Sequence, residues 1–254
     1  MKSLHFVSAL FILIITGSIS LLAQNNAPKP TPEQQEAWRK AEEERLRNDW
    51  ANLARFRDDN ASIGLPESGV TRVVFMGNSI TEGWSHTSPG FFTARPYVNR
   101  GISGQTTPQM LIRFRPDVIS LKPAVVVILA GINDIAGNTG PSTLEMITDN
   151  LASMVELAKA NGIKVVLSSV LPAYDFPWRP GLQPAEKVVS LNAWIKEFAK
   201  ANGCIYLDYF TPMADERKGL KAEYTYDGVH PNLAGYKVME PLVETAIQNA
   251  IKAR

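Results

Sequence analysis

The chain is poor in the residues that build disulfide frameworks and metal centres. A single cysteine, Cys204, stands among 254 residues, so no intrachain disulfide can form. Its setting, Cys204-Ile205-Tyr206-Leu207-Asp208, reads as a buried strand, which makes it an inert core thiol rather than a nucleophile. Histidine is nearly as scarce: there are three, His5, His86 and His230, and none is spaced with others as zinc ligands are. No metal and no cofactor is therefore expected. An excess of one charge is also lacking. Lys and Arg number 26 against 25 Asp and Glu, which gives no electrostatic reason to expect nucleic acid or an anionic membrane as partner. Internal repeats and low-complexity segments are absent too.

What is present begins with a leader. Residues 1–23 read as a secretory signal: Lys2 supplies the positive end, residues 6–15 are mostly apolar, and Leu21-Leu22-Ala23 ends on a small residue. The apolar run is shorter than the roughly 20 residues that span a bilayer, so no stable membrane insertion is expected once it is removed. No cysteine lies near the junction for lipid attachment. The expected location is secreted or periplasmic. Residues 24–68 are then a short polar linker and a charged amphipathic helix reaching about residue 57. Its stripe of Trp38, Leu46, Trp50, Leu53 and Phe56 is of the kind that covers a core.

From residue 69 to 254 the pattern alternates. Strands are expected near 72–76, 97–99, 124–130, 164–170 and 204–207, with Ala-Val-Val-Val-Ile-Leu-Ala at 124–130 reading as buried on both faces. Helices are expected near 106–117, 142–160, 184–201 and 232–251. Ser142 and Glu145 look like a capping box, and Gly162 and Gly203 stop their helices after Asn. Five strands alternating with helices make an α/β domain whose parallel sheet is covered on both faces.

Open sheets of this kind bind ligands at the carboxyl ends of their strands. Ser79 follows the first strand there, Gly104 the second and Asn133 the third; Asp227 and His230 follow the last. A serine hydroxyl is a weak nucleophile that needs a neighbouring base, and the base needs an orienting acid. With His5 in the leader the choice of base is narrow, and His230 has an acid close by in sequence. Asp227, three residues earlier across a glycine, can reach one imidazole nitrogen and leave the other for Ser79. Attack on a carbonyl also requires donors for the developing oxyanion, and the Ser79 and Gly104 amides and the Asn133 side chain suit that role. Singly each has a plainer reading: Gly104 as a turn, Asn133 as a helix cap, Asp-x-x-His as chance. In this order on this strand pattern they converge.

The four blocks Gly77-Asn78-Ser79-Ile80-Thr81, Gly101-Ile102-Ser103-Gly104, Gly131-Ile132-Asn133-Asp134 and Asp227-Gly228-Val229-His230-Pro231 resemble those of the SGNH hydrolases, also called GDSL-like esterases and lipases. The resemblance runs from about residue 70 to 251. Asn78 departs from the aspartate of the family's name motif, beside the nucleophile rather than at it. The resemblance implies a flavodoxin-like three-layer α/β/α sandwich with a five-stranded parallel sheet, and a metal-free ester hydrolase. In it Ser79 attacks, His230 is base and then acid, Asp227 orients His230, and Ser79, Gly104 and Asn133 hold the oxyanion. No Gly-x-Ser-x-Gly elbow is present, which argues against the other large α/β hydrolase class.

The substrate is less legible. Tyr174, Phe176, Pro177, Trp178, Arg179 and Pro180 form an aromatic loop after the fourth strand, with Tyr174, Trp178 and Arg179 as candidate substrate contacts. His86 is taken as an exposed loop residue near the site entrance that could touch substrate. Phe91 and Phe92 suit either the far side of the site or the core. Asp134 is expected to fix its loop and Asp117 to be a helix-end charge. Nothing provides a long apolar run for a fatty chain. The expectation is a small acyl ester or an acylated glycan, with a lysophospholipase or thioesterase activity, or a non-catalytic glycan-binding module, as alternatives. Oligomeric state is not encoded legibly.

Overall fold

A computed structural model describes residues 31–253. The expected signal over residues 1–23 lies outside the described residues, as does most of the linker. The chain divides into two units, Met1–Arg45 and Leu46–Arg254.

The first helix, α1, spans Pro32–Asn48. Its start is a reciprocal cap, in which Thr31 N donates to Gln34 Oε1 at 2.9 Å and Gln34 N donates to Thr31 Oγ1 at 3.2 Å. Arg39 bridges Glu36 and Glu43 one turn either side. The expected core-covering stripe does not run as one: Trp38 is 62% exposed and Trp50 and Leu53 are exposed too. Nor does the helix reach residue 57. The Asp49 carboxylate accepts the amides of Leu53 at 2.8 Å and Ala54 at 2.9 Å, and Asn52 takes a left-handed φ of 54°. That local side-chain competition turns the chain before α2, Arg57–Ile63, begins.

The body is built on five parallel strands: β1 Val73–Gly77, β2 Tyr97–Gly101, β3 Val125–Leu129, β4 Lys164–Ser168 and β5 Ile205–Leu207, in the order β2-β1-β3-β4-β5. Every residue of β1 and β3 is buried, which is why both read as uninterrupted apolar runs. Between strands run α3 (Ser79–Thr87), α4 (Gly90–Thr93), α5 (Thr107–Asp117), α6 (Ile132–Ile135), α7 (Leu144–Ala160), α8 (Ala185–Ala201), α9 (Phe210–Met213) and α10 (Leu233–Lys252). α10 packs against α3 and β3–β5, while α5, α7 and α8 pack on one another as a second helical group. This is the flavodoxin-like arrangement expected from the sequence. Its strand order reverses between β1 and β3, the switch point where such sheets bind ligands.

Two local expectations shift. α7 is capped by Thr143, whose hydroxyl accepts from Met146 N at 3.2 Å, rather than by a Ser142–Glu145 pair. The complete capping box belongs to α5, between Thr106 and Gln109. Phe91 and Phe92 are core: both are buried with Phe75, and the Trp84 ring stacks on Phe91 at 4.9 Å. Among the described residues no helix is long and apolar enough to cross a membrane.

Candidate active site

β1 ends at Gly77, and Asn78 turns the chain into α3 by accepting from Ile80 N at 3.1 Å through its Oδ1. Either Asn or Asp can supply that oxygen, so the departure from the family's name motif leaves the turn intact. Ser79 is thereby the first residue of α3, where backbone amides have no intrahelical acceptor. Its Oγ lies 2.9 Å from His230 Nε2.

His230 comes from the turn between the last 3₁₀ segment (Ala222–Tyr224) and α10. Its Nδ1 is 2.7 Å from Asp227 Oδ2, while Asp227 Oδ1 accepts the amides of Val229 at 2.9 Å and His230 at 2.7 Å. Burial by itself would raise the Asp227 carboxyl. The bonds from His230 and Val229 outweigh it and hold the group below the ordinary carboxylate range. Thr225 closes the turn: its Oγ1 accepts from Asp227 N and Gly228 N and donates to the His230 carbonyl at 2.7 Å.

Gly104 and Asn133 follow β2 and β3, the strands on either side of β1. Gly104 has φ +77°, a conformation that L side chains rarely adopt. Gly101, at the end of β2, is required by space instead, because a Cβ there would collide with the Glu82 backbone of α3. Asn133 is buried, and its Nδ2 donates to the Gln105 carbonyl at 2.9 Å, which leaves the second amide hydrogen for another acceptor. Asn138 Nδ2 donates to the Gly104 carbonyl at 3.2 Å, and Thr106 Oγ1 is 3.0 Å from Thr139 Oγ1.

A sequence model of the GDSL-like Lipase/Acylhydrolase family matches residues 75–238. The chain belongs to this family. A solved GDSL-like lipase from Bacteroides thetaiotaomicron superposes with a TM-score of 0.78 at 52% identity, over 80% of this chain and 100% of that one. Esterase TesA of Pseudomonas aeruginosa is 32% identical over 69% of this chain and 76% of its own length. An acetylxylan esterase of Xylanibacter ruminicola is 25% identical over 74% of this chain and 45% of its own. The chain spans between 45% and 76% of the length of the curated relatives it matches. The SGNH resemblance read from the four blocks is thus borne out, and with it a serine ester hydrolase.

Within this GDSL-like hydrolase the remaining candidates fare differently. Trp178 is 42% exposed, packs on Phe176 with ring centroids 5.1 Å apart, and stands 5.8 Å from the His230 ring. Arg179 is turned elsewhere: its Nη1 donates to the carbonyls of Ala136 and Gly137, clasping the β3 and β4 loops together. Tyr174 is exposed with the Arg217 guanidinium 4.8 Å over its ring. His86 is not in a loop beside the entrance. It is exposed in the last turn of α3, seven residues after Ser79, or about 10 Å along the axis at 1.5 Å per residue. Asp134 does fix its loop, accepting from Thr107 N at 3.0 Å and Thr107 Oγ1 at 2.6 Å; burial pushes its carboxyl up to about 6. Asp117 is the helix-end charge expected, the last residue of α5, and it is buried as the partner of Arg113 at 3.1 Å and of Asn60 at 2.7 Å.

Gln105, the residue after Gly104, is also buried. Arg113 donates to its Oε1 at 2.5 Å and to the Gly77 carbonyl at 2.9 Å, so one guanidinium links the end of β1 to the glycine block. Burial pulls the Arg113 guanidinium down to about 10, against the upward pull of Asp117. Glu82 accepts from Ser103 N at 2.8 Å and from Ser103 Oγ, securing the other side of that block. Sequence reasoning missed Arg113, Glu82 and Thr225. Only Thr225 carried a signal, the Thr-x-Asp-Gly turn pattern.

Proposed function

We propose that this chain is a secreted serine ester hydrolase that removes small acyl groups, above all acetyl, from carbohydrate. The observation that carries the reading is the unbroken line from Ser79 Oγ through both nitrogens of His230 to Asp227, at 2.9 and 2.7 Å.

On this reading Ser79 Oγ bonds to the ester carbonyl carbon while its proton passes to His230 Nε2. Asp227, kept ionised by its own hydrogen bonds, holds the ring and steadies the imidazolium. The carbonyl oxygen becomes an oxyanion met by the Ser79 and Gly104 amides and the Asn133 amide. Collapse breaks the bond to the alcohol, whose oxygen takes the proton from His230. Water then gives a proton to His230 as its oxygen bonds to the acyl carbon; collapse breaks the acyl–Ser79 bond, His230 returns the proton to Ser79 Oγ, and the acid leaves. Every step uses groups of the chain and water alone.

A short acyl group is supported by the polar side chains near Gly104 and Asn133: Thr106 and Thr139 are bonded to one another, and Asn138 to the Gly104 carbonyl. A carbohydrate alcohol is supported by the exposed Trp178 beside His230 and by the likeness to a protein named acetylxylan esterase. Secretion rests on the leader pattern in residues 1–23. The test is kcat/KM across acetyl, butyryl, octanoyl and palmitoyl esters, with acetylated sugars included. Highest values on acetyl esters and measurable deacetylation of a sugar are expected. Each buried methylene in an apolar groove contributes about 0.8 kcal/mol, so efficiency climbing steadily with chain length would favour a lipid substrate instead.

A further inference from the structure

Two aromatic rings border His230, and the function above uses only one. Tyr226, immediately before Asp227, lies nearly parallel to the His230 imidazole, at 10° and with centroids 5.8 Å apart. It is 71% exposed, the most open large apolar side chain in the body. The turn beneath it is not loose: Thr225 and Asp227 on either side are hydrogen-bonded into the His230 turn. A large ring held in place beside the general base and left uncovered is a surface waiting for a ligand face rather than a piece of core.

The chemistry says which part of the substrate that is. Oxyanion donors fix the carbonyl oxygen on the Gly104 and Asn133 side. The departing oxygen must take its proton from His230 Nε2, within about 2.6–3.2 Å. The alcohol portion of the ester therefore lies along the His230 side, where Trp178 and Tyr226 stand, and the acyl portion lies away from them. Aromatic faces offer flat apolar area with little conformational freedom to lose, a match for the C–H face of a pyranose ring.

We propose that Tyr226 is a specificity-determining residue that, with Trp178, binds the sugar ring of the leaving alcohol through its aromatic face. The inference rests on the carbohydrate-ester reading and extends it to a named contact. Alcohol and acyl preferences should therefore be separable by mutation.

The test compares kcat/KM on an O-acetylated xylo-oligosaccharide with kcat/KM on methyl acetate, whose alcohol is too small to reach Tyr226. The expected result is a sugar-to-methyl ratio about 3- to 10-fold lower in Tyr226→Ala, expressed mainly in KM, the size of one aromatic contact. Tyr226→Phe, which keeps the face and loses the hydroxyl, should restore the wild-type ratio. Equal losses on both esters in Tyr226→Ala would mean that the ring acts on His230 instead and would overturn the proposal. So would wild-type efficiency on the sugar ester. A wild-type protein that hydrolyses methyl acetate but no acetylated sugar would remove the carbohydrate reading itself, and this contact with it.

Discussion

Gln105 Nε2 donates to the Ala51 carbonyl at 2.7 Å, joining the residue after Gly104 to a segment outside the part of the chain that the family model matches. The same segment is bound at neighbouring points. Gln109 Nε2 donates to the Trp50 carbonyl at 2.7 Å, Arg100 pairs with Asp59 at 2.6 Å, and Arg55 pairs with Glu82 at 3.2 Å. Residues 50–60 thus brace the glycine block from behind. Since the Gln105 carbonyl also receives the Asn133 amide, its placement sets the two proposed oxyanion donors, Gly104 and Asn133, together. Gln105→Ala should lower kcat about 10- to 100-fold with KM changed little, as small misplacements of a reacting geometry do. Steady-state kinetics on a short-chain ester decides it; an unchanged kcat would make the bond purely structural.

Asn133→Ala removes a donor rather than displacing one. Turnover should fall about 10²- to 10³-fold with little effect on KM. A change confined to KM would return Asn133 to a loop-fixing role, like that of its neighbour Asp134.

Asp134 makes a prediction about stability. Its folded carboxyl titrates near 6, above its ordinary value of 3.8, so between those limits the folded state holds the proton and the unfolded state does not. Its favourable contribution is therefore full below about pH 4 and is lost as pH rises through 6. The shift corresponds to about 3 kcal/mol at most. Asp227 works in the opposite sense: its carboxyl is lowered, and its contribution is lost as pH falls. Urea unfolding of the wild type and Asp134→Asn at pH 4, 5, 6 and 7 isolates the first group. The difference in stability between the two proteins should change across this window; a constant difference would mean that Asp134 does not titrate there.

Much of this was legible in the sequence because the signals were local. β1 and β3 are continuous apolar runs, Gly162 and Gly203 close their helices, with φ of 73° and 67°, and Asp227-x-x-His230 is a single turn. What failed depended on a competing local hydrogen bond in one case and on tertiary partners in the others. α1 kept a helical rhythm past residue 48, but the Asp49 carboxylate captured two amides and ended it. Arg179 read as a substrate group because nothing in its neighbourhood foretold that the carbonyls of Ala136 and Gly137 would take it. Arg113 occupies a helix position whose buried partners, Gln105 and Gly77, lie 8 and 36 residues away. Tyr226 had no spacing signal at all; its meaning comes from the ring beside it.

Asp227→Asn keeps the shape of the turn but removes the charge that orients and steadies His230. Turnover should fall about 10⁴-fold while the fold survives, because loss of the orienting acid leaves the base in the wrong tautomer. A loss of less than tenfold would show that Asp227 is a turn residue and that His230 is oriented by something else.

The most direct measurement is covalent labelling of the intact protein with a fluorophosphonate, followed by mass spectrometry of its peptides. Only a serine activated by a neighbouring base reacts rapidly, and Ser79 Oγ is the hydroxyl held 2.9 Å from His230 Nε2. A single adduct on Ser79 is predicted, lost in Ser79→Ala and slowed severely in His230→Ala, with turnover of the Ser79 variant down about 10⁴-fold or more. An adduct on Ser85 or Ser103, or undiminished hydrolysis by Ser79→Ala, would contradict the assignment.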